Sequence, residues 1–381
     1  MIPFIDLQPV TRLVAEAATE RWAKVLATCE FVGGASVQQL ERELAAYCAT
    51  TTAVACGNGT DALVLALQAA GVGPGMHVAL PNLTFWATFE AVAQLRAIPV
   101  LIDISPDDLQ LDLAELVRAH ERYRFGHAIV VHLFGWASSV LGELRAFCRS
   151  REICLVEDAA QAAGVELGGR PLLADATIAT LSFYPAKVIG GCMDGGAVVA
   201  NDEALARTVR SLANHGRANH YSYQHIGWNS RMGGLQASYL LEVMRHAERI
   251  VQDRRRLAAR YRTELAAVPL AARHHGPPAG ITENGYLVVL ECDGPADPLA
   301  EQLKARGIAT ARTYPETMDQ QAPARGRFVA VSELARSRAL VERVLNLPLY
   351  FGMPDHQLDA VVRAARETLV RSPASAQVAS R

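Results

Sequence analysis

Short apolar segments alternate with longer amphipathic segments through the first half of the chain. The apolar runs are rich in β-branched residues, and most are separated by helical patterns of about ten residues or more. The strands that they predict cover residues 53–56, 77–80, 99–102, 128–132, 154–156, 178–183 and 196–200. Strands that alternate with helices predict an α/β fold, with a mostly parallel sheet covered on both faces.

Helical periodicity also flanks these strands, and a second alternating region follows them. The predicted flanking helices cover residues 13–29, 36–47, 202–214 and 233–267. A segment rich in Pro, Gly and His at residues 269–280 predicts a linker or hinge. The elements predicted beyond it are strands at 286–291 and 308–314 and helices at 296–306, 332–345 and 355–370.

These patterns divide the chain into three parts. We expect a large domain over residues 1–268 and a small α+β domain over residues 269–371. Residues 372–381 are small and polar, which predicts a disordered tail.

Composition excludes several classes of protein. The 381 residues carry a formal net charge of −2, which provides no field to attract nucleic acid or an anionic membrane. The seven cysteines are scattered without a C-x-x-C pair, so we expect neither a disulfide framework nor a metal site. The N-terminal sequence does not resemble a secretory signal, and no apolar run is long enough to span a bilayer. We therefore expect a cytoplasmic protein with small-molecule partners.

Lysine is rare in this chain, which limits where amine chemistry can occur. The three lysines are Lys24, Lys187 and Lys304. Lys24 and Lys304 lie among charged neighbours in predicted amphipathic helices, where a lysine is usually solvated. Lys187 follows a predicted strand in the apolar and aromatic segment SFYPAKVIGG. Apolar surroundings favour the neutral amine that is needed for attack on a carbonyl group, although a structural lysine in a turn is the alternative.

Two further segments carry candidate chemistry. In CGNGTDA, residues 56–62, glycines and the start of a helix can bind a phosphate, or Thr60 and Asp61 can simply cap that helix. Asp158 ends an apolar strand, where ligands bind in open α/β sheets, and it is either a helix cap or the partner of a buried cationic group. With Lys187, these segments provide the phosphate site, acid and amine that pyridoxal 5′-phosphate (PLP) requires.

The order of the motifs resembles the DegT/DnrJ/EryC1/StrS family of sugar aminotransferases, which are fold type I PLP enzymes. The motifs that carry the resemblance are FVGG, CGNGTDAL, LPNLTFWAT, VHLFG, VEDAAQAAG, SFYPAK, DGGAVVAND, NHG and GWNSRM. The resemblance implies that Lys187 forms the internal aldimine with PLP and then moves the proton between Cα and C4′. It also implies that Asp158 binds the pyridine nitrogen and that Gln161 lies near the ring hydroxyl.

Other motif positions imply further cofactor contacts. Ser182, Thr60 and the backbone N–H of Asp61 match phosphate-binding positions, and Phe85 matches the aromatic residue stacked on the ring. Asn229 resembles the asparagine that reaches the phosphate from a partner subunit, which implies a homodimer with shared active sites.

Substrate contacts are a broader set of candidates. They lie in family-like motifs, in the aromatic loop before residue 229 or near the cleft, and they are Trp86, Tyr184, His215, Tyr221, His225, Arg231 and Tyr314. His132 is interpreted as a core histidine and Asp194 as a turn former.

Some segments depart from the commoner family pattern. Trp86 and Trp136 replace smaller or polar residues, residues 283–286 lack a frequent histidine, and residues 232–235 read MGGL. We expect these segments to line the acceptor pocket.

The resemblance implies an aminotransferase with ping-pong kinetics, in which PLP and pyridoxamine phosphate alternate. It would transfer an amino group from glutamate or glutamine to a keto group of a nucleotide-linked deoxysugar. The alternatives are a cyclitol or related keto compound as acceptor, or a non-catalytic PLP-binding regulator or partner subunit. Lys187 argues against the dehydratases of the family, which usually carry histidine at that position.

Overall fold

The computed structural model describes residues 1–268 and 270–369. The predicted tail at 372–381 lies outside these described residues, as do residues 269, 370 and 371.

The strands include one for each of the seven apolar runs between residues 53 and 200. In chain order they are β1 Thr52–Cys56, β2 His77–Pro81, β3 Ile98–Ile102, β4 His127–Val131, β5 Cys154–Asp158, β6 Glu166–Leu167, β7 Arg170–Pro171, β8 Ile178–Ser182, β9 Gly196–Ala200, β10 Arg217–Asn219, β11 Ser222–Tyr223, β12 Ala272–His275, β13 Ile281–Thr282, β14 Val288–Cys292, β15 Val329–Ala330 and β16 Val344–Leu347.

The helices fill most of the intervals between these strands. In chain order they are α1 Gln8–Thr28, α2 Gly34–Cys48, α3 Gly59–Ala69, α4 Trp86–Gln94, α5 Leu113–Tyr123, α6 Leu141–Ser150, α7 Glu203–Ala213, α8 Gly234–Arg245, α9 Ala247–Ala266, α10 Asp297–Ala305, α11 Ala335–Arg343 and α12 Asp355–Leu369.

The main sheet has eight strands in the order β1-β9-β8-β5-β4-β2-β3-β15. All neighbours are parallel except the pairs that involve β9, which runs against both β1 and β8. In each of β1 to β5 the first residue is half-buried and the next four are buried, as expected for strands covered on both faces. The predicted mostly parallel α/β fold is confirmed.

This topology brings several strand ends to one edge of the sheet. The strands β4, β5 and β8 are parallel, and β1 runs in the same direction because two antiparallel steps through β9 separate it from β8. The turns after these strands therefore meet at the carboxyl edge, where open α/β sheets bind ligands.

The C-terminal part builds a second, smaller sheet of three antiparallel strands in the order β12-β14-β16. A second buried apolar cluster lies here, and it also includes residues Leu257 to Leu265 of α9. The division of the chain near residue 268 stays a prediction. None of the helices in the described ranges is both long and apolar enough to cross a membrane.

Three element predictions are wrong in detail. The helix predicted over 233–267 is two helices, because His246 at φ −108° and ψ 6° interrupts the helical backbone. The segment predicted as a strand at 308–314 makes only isolated bridges, from Ile308 to Ile2 and from Ala311 to Asn346. The apolar residues at 344–345 begin β16 and are not part of the preceding helix.

The predicted linker at 269–280 also needs correction. Its residues 272–275 form β12, which pairs with β14 at the edge of the small sheet. Part of the segment rich in Pro, Gly and His is thus an edge strand and not a linker.

Candidate active site

A cavity of about 760 Å³ opens at the carboxyl edge of the main sheet. The turns after β1, β5 and β8 meet there with the start of α4 and with two tyrosines from the C-terminal part. Its lining includes nine of the residues predicted from the sequence: Thr60, Asp61, Phe85, Asp158, Gln161, Ser182, Tyr184, Lys187 and Tyr314.

Lys187 lies in the turn that follows β8. Its backbone N–H donates to the carbonyl of Tyr184 at 2.8 Å. Gly190 completes the turn, since a Cβ there would lie 2.3 Å from the carbonyl oxygen of Pro185. The amine Nζ of Lys187 is 3.4 Å from the hydroxyl of Tyr286. Lys24 and Lys304 are exposed on their helices, as predicted.

Asp158 is the buried acid of the cavity, with 5% of its surface exposed. Its carboxylate accepts hydrogen bonds from the Thr88 hydroxyl at 3.2 Å and from the Ala160 N–H at 3.0 Å. Burial raises the pKa of Asp158, although the Ala160 N–H and the charge of Lys187 act against that rise. Thr180 is the neighbour of Asp158 on β8, and within the described chain its hydroxyl has no hydrogen-bond partner. A cationic ligand would therefore stabilise the Asp158 carboxylate.

The preceding residue, Glu157, faces the other side of the sheet. It accepts two hydrogen bonds from Arg145, both at 2.8 Å, and its Oε2 lies 2.9 Å from Nε2 of His132. Burial alone would raise the pKa of Glu157, but the hydrogen bonds from His132 and Arg145 outweigh it and lower that pKa. His132 is fully buried and lies outside the cavity lining, which agrees with its interpretation as a core histidine.

The start of α3 provides the anion site. Asn58 caps the helix by accepting the N–H of Asp61 at 2.8 Å, so this N–H, predicted to bind phosphate, already has a partner. The first-turn N–H groups of Gly59 and Thr60 have no partner within the helix. Gly59 allows a close approach to β8, because a Cβ there would lie 2.7 Å from Cβ of Ser182. Gly59, Thr60 and Ser182 thus line the same cavity with backbone and hydroxyl donors.

Gln161 and Tyr314 connect the main sheet to the C-terminal part. The Gln161 amide donates to the Tyr314 hydroxyl, and its carbonyl oxygen accepts the N–H of Phe134 at 2.7 Å. Burial raises the pKa of Tyr314 far above its ordinary value, so this phenol is neutral.

Phe85 and Trp86 take opposite roles at the start of α4. Phe85 is 62% exposed and lines the cavity, so its ring face is available for stacking. Trp86 is not part of the lining and instead stacks on Phe89, with ring centroids 4.9 Å apart. Trp86 thus lies outside the cavity lining of its own chain, and its predicted role as a substrate contact stays a prediction.

Comparison with known proteins agrees with this geometry. The sequence profile of the DegT/DnrJ/EryC1/StrS aminotransferase family matches residues 13–366. The chain belongs to this family.

Individual relatives cover almost the whole chain. The dTDP-3-amino-3,4,6-trideoxy-alpha-D-glucose transaminase of Streptomyces venezuelae is 34% identical over 96% of both chains. A protein of Geobacillus stearothermophilus named pleiotropic regulatory protein is 31% identical over 96% of this chain and 98% of its own. The structure of S. venezuelae DesV in complex with a ketimine intermediate superposes with a TM-score of 0.93, at 32% identity over 97% and 99% of the two chains.

Five residues predicted from the sequence lie outside the cavity lining of their own chain. They are exposed residues on or beside the loop that carries β10 and β11, namely His215, Tyr221, His225, Asn229 and Arg231. The side chains of Arg231 and Asn229 are hydrogen-bonded to each other. The structure therefore does not join these five residues to Lys187 within one chain, and their roles stay predictions for a site shared between two chains.

Most of the departures from the family pattern are also remote from the cavity. Trp136 is fully buried, and its indole N–H donates to the carbonyl of Asp108 at 2.9 Å. Gly233 and Gly234 approach the backbone of Phe31 and Glu30. Of the segments expected to line the acceptor pocket, only 283–286 reaches the cavity, through Tyr286.

Sequence reasoning missed other lining residues. Glu90 and Gln94 lie on α4, four residues apart on one helix face, and Thr313 precedes Tyr314. Thr88, which binds Asp158, is one helical turn after Thr84, and this i,i+4 pair of hydroxyls was the signal available. Asp194, interpreted as a turn former, also lines the cavity.

Proposed function

We propose that this protein is a PLP-dependent aminotransferase that moves an amino group from glutamate or glutamine to a keto group of a nucleotide-linked deoxysugar. One observation carries the proposal: the Lys187 amine, the buried Asp158 carboxylate and the start of α3 line a single cavity. An amine, an acid and an anion site at the carboxyl edge of an α/β sheet are what this cofactor needs.

The donors present fit PLP. The Asp158 carboxylate, whose ionised form is disfavoured by burial, would pair with the pyridine nitrogen and keep it protonated. The free N–H groups at the start of α3 would hold the phosphate together with the hydroxyls of Thr60 and Ser182. Gln161 would bind the ring hydroxyl, and the exposed face of Phe85 would pack on the ring.

When bound, PLP carries the amino group and withdraws electrons from the carbon to which that group is attached. Lys187 supplies the acid and base: its Nζ removes the proton from Cα of the donor and returns a proton in the second half-reaction. The same amine serves both halves, so donor and acceptor react in turn and the kinetics are ping-pong.

The charges of the cavity favour a site completed by a second subunit. Among the described residues that line it, Lys187 is the single lysine or arginine, whereas Asp61, Glu90, Asp158 and Asp194 are acidic. A phosphate and a nucleotide diphosphate need more positive charge than this. The exposed segment that carries Asn229 and its neighbouring cations provides it from the partner in a homodimer.

Mixed dimers test this arrangement directly. Lys187→Ala and Asn229→Ala chains should each be inactive or weak alone. Co-expressed, they should recover about a quarter of the wild-type activity per chain, since half of the dimers are mixed and each has one intact site. No recovery in a mixture shown by mass spectrometry to contain mixed dimers would refute the shared site.

The proposal that the acceptor is a nucleotide-linked sugar is supported by relatives such as the S. venezuelae transaminase, whose name gives a dTDP-linked amino sugar. The test is a panel of keto-sugar nucleotides and keto-cyclitols with glutamate or glutamine, and product detection by mass spectrometry. Conversion of a cyclitol alone would favour the alternative acceptor. In Lys187→Ala, both turnover and the cofactor absorbance that borohydride bleaches should disappear.

A regulator is the second candidate, and the relative named pleiotropic regulatory protein favours it. The intact set of Lys187, Asp158 and Ser182 argues for catalysis. Glutamate should convert the cofactor to its amine form within seconds to minutes, which absorbance follows. Cofactor binding without this conversion would favour the regulator.

All seven cysteines are free thiols in the structure. This state suits the reducing cytoplasm, which is the location that we propose.

A further inference from the structure

Tyr286 makes two contacts with the amine of Lys187. Nζ donates a hydrogen bond to the Tyr286 hydroxyl at 3.4 Å, and the same atom lies 5.2 Å from the centroid of the tyrosine ring. Tyr286 is buried and lines the cavity. Its segment, residues 283–286, is one of those that depart from the commoner family pattern.

The backbone around Tyr286 is fixed on both sides. Asn284 is fully buried, and its side chain accepts the Tyr286 N–H at 2.9 Å while donating to the carbonyls of Gln161 and Ala163. Arg254 donates to the carbonyls of Gly285 and Tyr286, both at 3.0 Å.

Gly285 permits this close packing. Its φ is +66°, and a Cβ at this position would lie 2.5 Å from the carbonyl oxygen of Arg254. Tyr286 therefore projects from a rigid support, and its hydroxyl has a fixed position relative to the turn that carries Lys187.

We propose that Tyr286 is a positioning residue for Lys187. It holds the amine in the cavity whenever the amine is not covalently bound to the cofactor, which includes each proton transfer. The inference rests on the proposed aminotransferase function and adds a residue to it. The hydroxyl oxygen accepts from the amine and the ring face attracts its positive charge, so both contacts restrain the same atom.

The second cavity tyrosine cannot replace it. The Tyr314 hydroxyl already accepts a hydrogen bond from the Gln161 amide. In Tyr286→Phe the ring and its packing remain while the acceptor oxygen is lost. The amine then keeps its covalent chemistry but loses its fixed position between reactions.

The test compares Tyr286→Phe with Tyr261→Phe. Tyr261 is fully buried in the second apolar cluster and donates to the Pro348 carbonyl at 2.8 Å, so its substitution also removes one buried hydroxyl but leaves the cavity unchanged. The first measurement is the single-turnover reaction of the holoenzyme with glutamate and with glutamate deuterated at Cα. Misplacement of a reacting group slows Tyr286→Phe by about 10- to 100-fold. The deuterium isotope effect of Tyr286→Phe should exceed that of the wild type, because proton transfer becomes slower. Its glutamate dissociation constant should stay within about two-fold of the wild-type value, because the substitution changes the position of the amine and not the binding of glutamate.

The second measurement uses the scarcity of lysine and needs no cofactor. Labelling lysine with ¹³C at Cε gives signals from Lys24, Lys187 and Lys304 only, and loss of one signal in Lys187→Ala assigns it. In the wild-type chain we expect the Lys187 order parameter to be well above those of the two exposed lysines. In Tyr286→Phe it should fall toward them, and in Tyr261→Phe it should not change.

The proposal is supported only if Tyr286→Phe both slows the single-turnover reaction and lowers the Lys187 order parameter. A Tyr286→Phe rate within about two-fold of the Tyr261→Phe rate overturns the proposal, because position would then not limit proton transfer. A slower rate with an unchanged Lys187 order parameter overturns it as well, because Tyr286 would act on another group. If the wild-type protein reacts with neither glutamate nor glutamine, the proposed function fails, and the labelled lysines still decide whether Tyr286 restrains Lys187.

Discussion

The close approach of α3 to β8 gives the sharpest test of the phosphate site. In Gly59→Ala the new Cβ would lie 2.7 Å from Cβ and 3.0 Å from Oγ of Ser182. Ser182 cannot easily retreat, because β8 pairs with β9, where Gly196 in turn packs against the carbonyl of Asn58. Overpacking of this kind costs about 1–3 kcal/mol. The substitution also gains about 0.5–1 kcal/mol by restricting the unfolded chain.

We therefore expect the free energy of unfolding to fall by about 1 kcal/mol in Gly59→Ala, and by no more than about 2.5 kcal/mol, as the difference between these effects. Displacing the Ser182 hydroxyl would remove the proposed hydrogen bond to the charged phosphate, so we expect PLP binding to weaken by about ten-fold or more. Urea unfolding of the cofactor-free protein measures the first effect, and absorbance titration with PLP measures the second.

Gly142→Ala is the matched control. Gly142 also lies in the first turn of a helix, α6, and a Cβ there would meet nothing within 4 Å. This variant should gain about 0.5–1 kcal/mol and bind PLP as the wild type does. If Gly59→Ala matches Gly142→Ala in both measurements, the close approach does not constrain the site and the reasoning is refuted.

Further predictions concern the acid and the aromatic residues. Because burial raises the pKa of Asp158, its ionisation destabilises the cofactor-free chain as the pH rises through that pKa. Asp158→Asn should therefore raise the melting temperature at pH 7, with little effect below the ordinary Asp pKa. The same substitution should weaken PLP binding. A lower melting temperature at pH 7 would contradict this. Phe85→Ala should weaken PLP binding with little loss of stability. Trp86→Ala removes the stack on Phe89 and should lower stability with little effect on PLP binding. Absorbance titration with PLP and urea unfolding measure these two effects. Trp136→Phe removes the indole donor from the Asp108 carbonyl, which keeps only the longer bond from the Gln110 amide at 3.3 Å, and should cost about 0.5–1.5 kcal/mol in urea unfolding. A changed substrate KM at unchanged stability would speak against a core role.

The sequence predicted the main sheet well for a physical reason. Strands buried on both faces appear as continuous apolar runs, as 77–81 and 98–102 do, and such runs between helices have few other structures available. Predictions failed where tertiary contacts decide the backbone. His246 interrupts a pattern that is helical on both sides, and residues 344–347 form a strand because β14 offers an edge for pairing.

The residues of the candidate site also divide into those that the sequence could predict and those that tertiary contacts decide. Asp158 ends β5, and Thr60 and Lys187 lie within a few residues of the ends of β1 and β8, so their place at the carboxyl edge followed from topology. Tyr286 reaches the cavity from a segment about 100 residues further along the chain, and only the packing of its support, through Asn284 and Gly285, decides where its side chain points.

The strand β15 has a consequence for exchanging parts between related enzymes. It pairs with β3 in the main sheet, and buried hydrogen bonds from Asn82, which follows β2, to Asp319 and Ser337 attach the segments before and after β15 to the same sheet. A chimaera joined at residue 268, where a boundary suggests itself, would therefore replace a wall of the cofactor site, including Tyr314, and one edge of the parent sheet. Recombination that aims to change the sugar while keeping the cofactor chemistry should exchange the exposed loop at 215–231 and leave the C-terminal residues with their own sheet.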